Sequence, residues 1–206
     1  MLLWFGVFLL FAGATCFAID RRAVHVFHES ISQTWHRRIH KTTDWAKGGH
    51  WLAISSTAYL LSQAILAWGG PNALWQNVSQ TALAFLAALA VGSAILHSLK
   101  VMLGRRRPRD ELELSLYGFR PAHFDLQYDS FPSGHSLTIM CVAVIASAVV
   151  PQLAILWLAI AIYLSLTRAL LNAHFLSDVA IGAGIGLITA REIVVLFFPA
   201  LTQPWF

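Results

Sequence analysis

The chain has 206 residues, of which 57% are hydrophobic and 12% charged, with 14 Lys+Arg against 10 Asp+Glu. A soluble domain carries a charged share of about 25%, and here whole stretches, Trp51 to Leu96 and Ser130 to Thr167, contain no Asp, Glu, Lys or Arg. Disorder, a collagen-like fibre and a disulfide scaffold are excluded, and a polytopic membrane protein is implied, because about 20 apolar residues cross a hydrocarbon core of roughly 30 Å.

The expected fold is all-α: one integral membrane domain over 1–206, a bundle of six transmembrane helices with an interfacial amphipathic helix and a short active-site loop region. The spans are placed at about 2–19, 51–68, 76–99, 133–150, 152–171 and 174–190. Residues 2–19 lack a preceding Lys or Arg, which argues for a retained span over a signal peptide. Between Asp20 and His50 the composition turns basic, with Arg21, Arg22, Arg37, Arg38, Lys41 and Lys47. Val24, Phe27, Ile31 and Trp35 recur at helical spacing, so this stretch reads as one amphipathic helix lying in the interface. Gly69-Gly70-Pro71-Asn72 is a turn. Residues 104–130, with Pro108, Gly118 and Pro121, read as an irregular loop. Pro151 opens the fifth helix, where its missing N–H costs nothing. Gly182, Gly184 and Gly186 in the last span predict close helix packing. Cys16 and Cys141 lie in apolar runs and read as small buried hydrophobes.

The net charge of +4 comes without a basic patch interleaved with aromatics, so the expected partners are the bilayer and an anionic group, with no nucleic acid. Six spans send 13 of the 14 cations to one face, leaving Arg191 on the other. On that face three segments bring ionisable groups to helix ends. Lys100 and Arg107 close the third span and Arg168 closes the fifth. An unpaired cation at hydrocarbon depth costs about 2.5 to 3.5 kcal/mol on insertion scales. An anion shared among the three removes that cost, and the planar fork of Arg fits phosphate oxygens. Ser133 and Gly134 open the fourth span, where free N–H groups and the helix dipole favour an anion. His174 and Asp178 are four apart. On a helix they share a face, so Asp178 accepts a hydrogen from one ring nitrogen and leaves the other as a nucleophile. His135 supplies a second imidazole that can protonate a leaving oxygen. Arg105, Arg106 and Arg109 read as plain interface anchors. No His or Cys cluster has a convincing metal-ligand spacing, so no metal and no cofactor are expected.

Lys100-x6-Arg107-Pro108, Pro132-Ser133-Gly134-His135 and Arg168-x5-His174-x3-Asp178, in this order, resemble the three-part signature of the type 2 phosphatidic acid phosphatase superfamily. The resemblance covers roughly residues 40 to 190, and the third motif departs from its usual Ser-Arg opening with Thr167-Arg168. It implies a metal-independent membrane lipid phosphatase. His174 then attacks phosphorus to form a phosphohistidine, His135 protonates the leaving group and Asp178 orients His174. Lys100, Arg107, Arg168, Ser133 and the Gly134 N–H hold the phosphate. Phosphatidylglycerol phosphate, phosphatidic acid, undecaprenyl pyrophosphate and lipid A phosphate are the candidate substrates. A phosphotransferase would use the same intermediate. A transporter or channel is the rival from another class, against which stands the position of the charges at helix ends instead of the midplane. The resemblance implies a bacterial inner-membrane protein with a periplasmic active site, whereas the distribution of cations points the same face to the cytoplasm.

Overall fold

The computed structural model describes residues 1–122 and 128–206, and all its regular elements are helices. They are α1 (Leu2–Cys16), α2 (Asp20–Ser30), α3 (Gln33–Thr43), α4 (Gly48–Gly69), α5 (Ala73–Leu103), α6 (Pro108–Leu114), α7 (Gly134–Val149), α8 (Ala154–Leu170) and α9 (Leu176–Phe197). Of the loop expected over 104–130, residues 123–127 lie outside the described residues.

α7 is the core. From Ser136 to Ala148 all its residues but Val142 and Ala146 are buried. Helices α4, α5, α8 and α9 pack around it. That enclosure explains why its sequence is apolar all round instead of striped. Within lipid the association rests on close packing and dispersion. A Cβ at Gly186 would fall against the backbone of Leu137, and one at Gly182 against the backbone of Ser133, so α7 and α9 touch main chain to main chain. α1 packs on α9 in the same manner, with Gly6 and Gly13 against Ile188 and Ile181. Cys141 is buried in α7, Cys16 is partly exposed at the end of α1, and both are free thiols. The outside of the bundle is strongly apolar: Ile155 is 87% and Leu60 66% exposed, which suits contact with lipid chains and not with water.

The stretch Gln33–Gly69 that contains α4, then α5, Pro151–Leu170 and α9 are long and apolar enough to cross a membrane. α1 joins them only together with α2, from which it is bent by 86°. By length and composition four or five helices therefore qualify, against the six predicted. The sixth, α7, has 16 residues, and its enclosure frees its ends from having to reach lipid on either side.

Three local expectations change. The stripe from Val24 to Trp35 is not one helix. Ile31 is extended (ψ 110°), and Ser32 caps a new helix by accepting the Trp35 N–H, so Val24 is buried at 2% exposure while Trp35 stands 59% exposed. A short helix, α6, interrupts the loop after Arg107. Pro108 at its first position and Asp110 and Glu111 in its first turn are the signals that mark it. The last helix begins at Leu176, two residues later than predicted, and runs to Phe197.

Candidate active site

The end of α5, the start of α7, the end of α8 and the turn before α9 meet at one end of the bundle around a cavity of about 510 Å³. Lys100, Arg107, Gly134, His135, Arg168 and His174 all reach its wall. The spacing of the third motif has a simple local cause. α8 ends two residues after Arg168, Asn172 takes a left-handed conformation (φ 51°), and the chain folds back so that the Ala173 and His174 N–H groups both donate to the Arg168 carbonyl, at 3.0 and 3.2 Å. Asn tolerates that backbone better than most residues and commonly ends helices in this way. Arg168 and His174 are thereby fixed to each other by main chain.

The three cations differ in their partners. Lys100 donates its ammonium to the backbone carbonyl of Asp129. Arg107 is paired with the Asp129 carboxylate, Nη2 to Oδ1 at 2.6 Å and Nε to Oδ1 at 2.8 Å. Arg168 reaches the Thr43 hydroxyl at 3.5 Å, its buried Nε has no partner, and it finds no carboxylate among the described residues. Thr43 is itself held by the hydroxyl of Thr167 at 2.9 Å. The hydroxyl at position 167 thus serves to place the Arg168 contact. Among the described residues, three cations therefore face the single carboxylate of Asp129 on the cavity wall.

His174 is buried, with 4% exposure. Its Nδ1 lies 2.8 Å from the Ser130 carbonyl oxygen and 3.8 Å from Asp178 Oδ2. The carbonyl can only accept, so the geometry assigns the hydrogen to Nδ1 and a lone pair to Nε2. Asp178 was expected to take that hydrogen from a shared helix face. His174 instead precedes the helix, and the longer distance is beyond hydrogen-bonding range. Asp178 holds the ring indirectly: its Oδ2 accepts the Ser130 hydroxyl at 2.6 Å and the Phe175 N–H at 2.9 Å. Burial pushes the His174 pKa below the ordinary imidazole value; Arg168 and Lys100 act in the same direction, and the carboxylate of Asp178 opposes them.

Ser133 departs from its expected role. It is fully buried, it is absent from the cavity wall, and its N–H is already bonded to the Asp178 carbonyl at 3.0 Å. Its hydroxyl accepts from Ser136. Gly134 is the residue of that turn that meets the cavity.

Arg105 is the largest correction. In place of an exposed anchor it is a fully buried side chain, ion-paired to Asp178 through Nη1 and to Asp20 through Nη2 at 2.8 Å. It also donates to the hydroxyls of Ser177 and Tyr117, each at 2.7 Å. Burial works against its charge, but Asp178 and Asp20 outweigh it and raise its pKa. Breaking a buried pair by removing one partner costs about 3 to 5 kcal/mol. Asp20, Arg105, Asp129 and Ser130 were all missed as site residues. Asp20 alone had a sequence signal, a lone carboxylate at the end of an apolar run. Among the described residues no three His, Cys, Asp or Glu side chains stand together to hold a metal ion.

The profile of the PAP2 superfamily matches residues 81–201. Two curated relatives are the lipid A 1-phosphatase of Rhizobium etli, 34% identical over 50% of this chain and 45% of that protein, and the lipid A 1-phosphatase of Rhizobium johnstonii, 35% identical over 52% and 46%. The chain spans about half the length of the curated relatives it matches. A crystal structure described as the first transmembrane PAP2 type phosphatidylglycerolphosphate phosphatase, from Bacillus subtilis, superimposes with a TM-score of 0.64 at 19% identity, covering 100% of this chain and 97% of that one. That likeness concerns the fold.

Proposed function

The chain belongs to the PAP2 superfamily, and from that membership and the geometry of its site we propose that it is a membrane lipid phosphatase working through a phosphohistidine. The observation that carries the reading is the cationic cavity between two imidazoles. Among the described residues Lys100, Arg107 and Arg168 face one carboxylate, and Arg168 has none of its own. A phosphate dianion balances that excess. His174 Nε2 attacks phosphorus while His135 gives its proton to the departing lipid oxygen, so the P–O bond breaks as the P–N bond forms. His135 then takes a proton from water, the hydroxide displaces His174, and inorganic phosphate leaves. Ser130 holds the ring tautomer and Asp178 holds Ser130. Lys100, Arg107, Arg168 and the N–H at Gly134 hold the equatorial oxygens, and no metal takes part in the reaction.

The substrate is a lipid whose phosphate reaches the cavity while its chains stay in the bilayer. Lipid A 1-phosphate leads the candidates, since both curated relatives are lipid A 1-phosphatases. The active face is proposed to be periplasmic in a bacterial inner membrane. Setting aside Lys100, Arg105, Arg107 and Arg168 as site residues still leaves nine cations on that face against one on the other, so the periplasmic reading rests on the family and not on charge. The test is phosphate release by the purified full chain, with EDTA present, from lipid A, phosphatidylglycerol phosphate, phosphatidic acid and undecaprenyl pyrophosphate. Release from at least one is expected. Activity on all of them that vanishes in EDTA and returns with magnesium or zinc would overturn the mechanism.

A further inference from the structure

We propose that Arg105 is a positioning residue for the nucleophile and that Asp20, at the elbow between α1 and α2, is the partner that lets it work; this rests on the reading of His174 given above.

Asp20, Arg105, Ser130, Ser177 and Asp178 are all fully buried, and none of them lines the phosphate cavity. They form one connected cluster behind it. The guanidinium lies between two carboxylates, Asp20 and Asp178. The Ser177 hydroxyl accepts from Arg105 at 2.7 Å and donates to Asp20 at 2.5 Å, while the Ser177 N–H donates to Asp20 at 3.0 Å. The rings of Phe17, Tyr117, Phe119 and Phe175 surround the guanidinium at 4.1 to 5.2 Å from their centroids. This wall keeps water out, so the charges act at low dielectric.

Two routes lead from Arg105 to the nucleophile. Through its side chain it fixes Asp178, which holds both the Ser130 hydroxyl and the Phe175 N–H next to His174. Through its main chain its carbonyl accepts the Ser130 N–H at 3.1 Å, and Ser130 in turn accepts from His174. The ring is therefore set by a residue that touches neither it nor the cavity.

The charge arithmetic gives Asp20 its part. Two carboxylates and one guanidinium leave the cluster one negative charge. Without Asp20, Arg105 and Asp178 would cancel, and no surplus would face the imidazole as it gains a phosphoryl group. Among the described residues the charged groups facing His174 from other elements are Arg168 on α8, Lys100 on α5 and His135 on α7, all on the cationic or neutral side. A buried triad adds little stability over packed apolar side chains, so stability alone does not account for it. Asp20 also lies outside residues 81–201, so the site draws on an N-terminal element beyond the segment that defines the family.

The test uses the full chain in detergent micelles, with phosphatidic acid as substrate and orthovanadate as a probe of the phosphate cavity. In Asp20→Asn and Arg105→Lys, kcat is expected to fall by about ten-fold or more, as for a small misplacement of a reacting group. KM and vanadate inhibition should stay within about two-fold, because the phosphate-holding residues are untouched. In Asp20→Asn the acid limb of the pH–rate profile moves to lower pH, because one negative charge fewer disfavours the imidazolium. Asp20→Glu restores part of the rate. An unchanged kcat, or parallel losses of kcat, vanadate binding and thermal stability, would overturn the proposal. Should Asp20→Asn fail to fold, Ser177→Ala decides in its place: it keeps every charge and removes the hydroxyl between Asp20 and Arg105, and a normal kcat there sinks the idea. Retained activity in His174→Ala strikes the nucleophile reading instead, which keeps the two failures apart.

Discussion

His174 gives its Nδ1 hydrogen to the carbonyl of Ser130, 2.8 Å away, while the nearest oxygen of Asp178 stands at 3.8 Å. A main-chain carbonyl cannot take up the proton, so it fixes the tautomer without competing for it. The remaining nitrogen, Nε2, has its lone pair free. His174→Ala is expected to abolish turnover while the protein still inserts and folds, since the histidine forms the covalent bond itself. Initial rates above about a tenth of wild type would rule out the covalent role.

The pH dependence follows from burial of the same ring. A pKa held below the ordinary imidazole value keeps the nucleophile neutral to lower pH, so its charge change limits kcat/KM only on the acid side. The acid limb of the profile is expected to be centred below the free imidazole value of about 6.5, while the alkaline limb reports the proton that His135 must carry. An acid limb centred above that value would contradict the environment described for His174.

Asp129 occupies one arm of the phosphate clamp before any substrate arrives. Its carboxylate holds Arg107, and its carbonyl holds Lys100. Asp129→Asn keeps the carbonyl and removes the competing charge, so vanadate should bind several-fold tighter, a gain of about 1 kcal/mol. Weaker vanadate binding in that variant would mean that the Arg107 pair builds the clamp instead of restraining it. Arg168→Lys should go the other way and lose most of the rate, because an ammonium cannot reproduce the fork that reaches both Thr43 and a phosphate.

Ala122 is exposed in the loop beyond Phe119 and reports the facing of the site. A cysteine there, with Cys16 and Cys141 changed to Ala, is expected to react with a membrane-impermeant thiol reagent in cells whose outer membrane alone is permeabilised. Labelling confined to lysed cells would move the site to the cytoplasm. Lipid A in the outer leaflet would then cease to be the leading substrate, while the roles of His174 and His135 would stand.

The sequence carried much of this arrangement, and the misses have physical causes. The charge-free runs and the three motifs were legible because lipid forbids unpaired charges and phosphate demands paired cations. Arg105 was not, since three consecutive arginines look alike until the fold turns one inward. Its neighbour Arg106 bonds Asp110 and Tyr128, and Arg107 lines the cavity. Asp20 pairs with a residue 85 positions away, a distance no periodicity reports. The tautomer-setting carbonyl of Ser130 belongs to the main chain, which side-chain motifs do not describe. The late start of α9 turns on the left-handed Asn172, a residue that falls between the fifth and sixth expected spans.

Gly182 has a consequence for the reaction although it carries no chemistry. Its Cα side lies directly on the Ser133 main chain, so α9 and the first turn of α7 are as near as two backbones allow. His174 lies two residues before the first of these elements, and His135 is the second residue of the other. The gap that a phosphoryl group must span between attacking nitrogen and donated proton is therefore set by contact between peptide groups. Flexible side chains leave such a gauge unchanged, and a single methyl group at 182 would reset it.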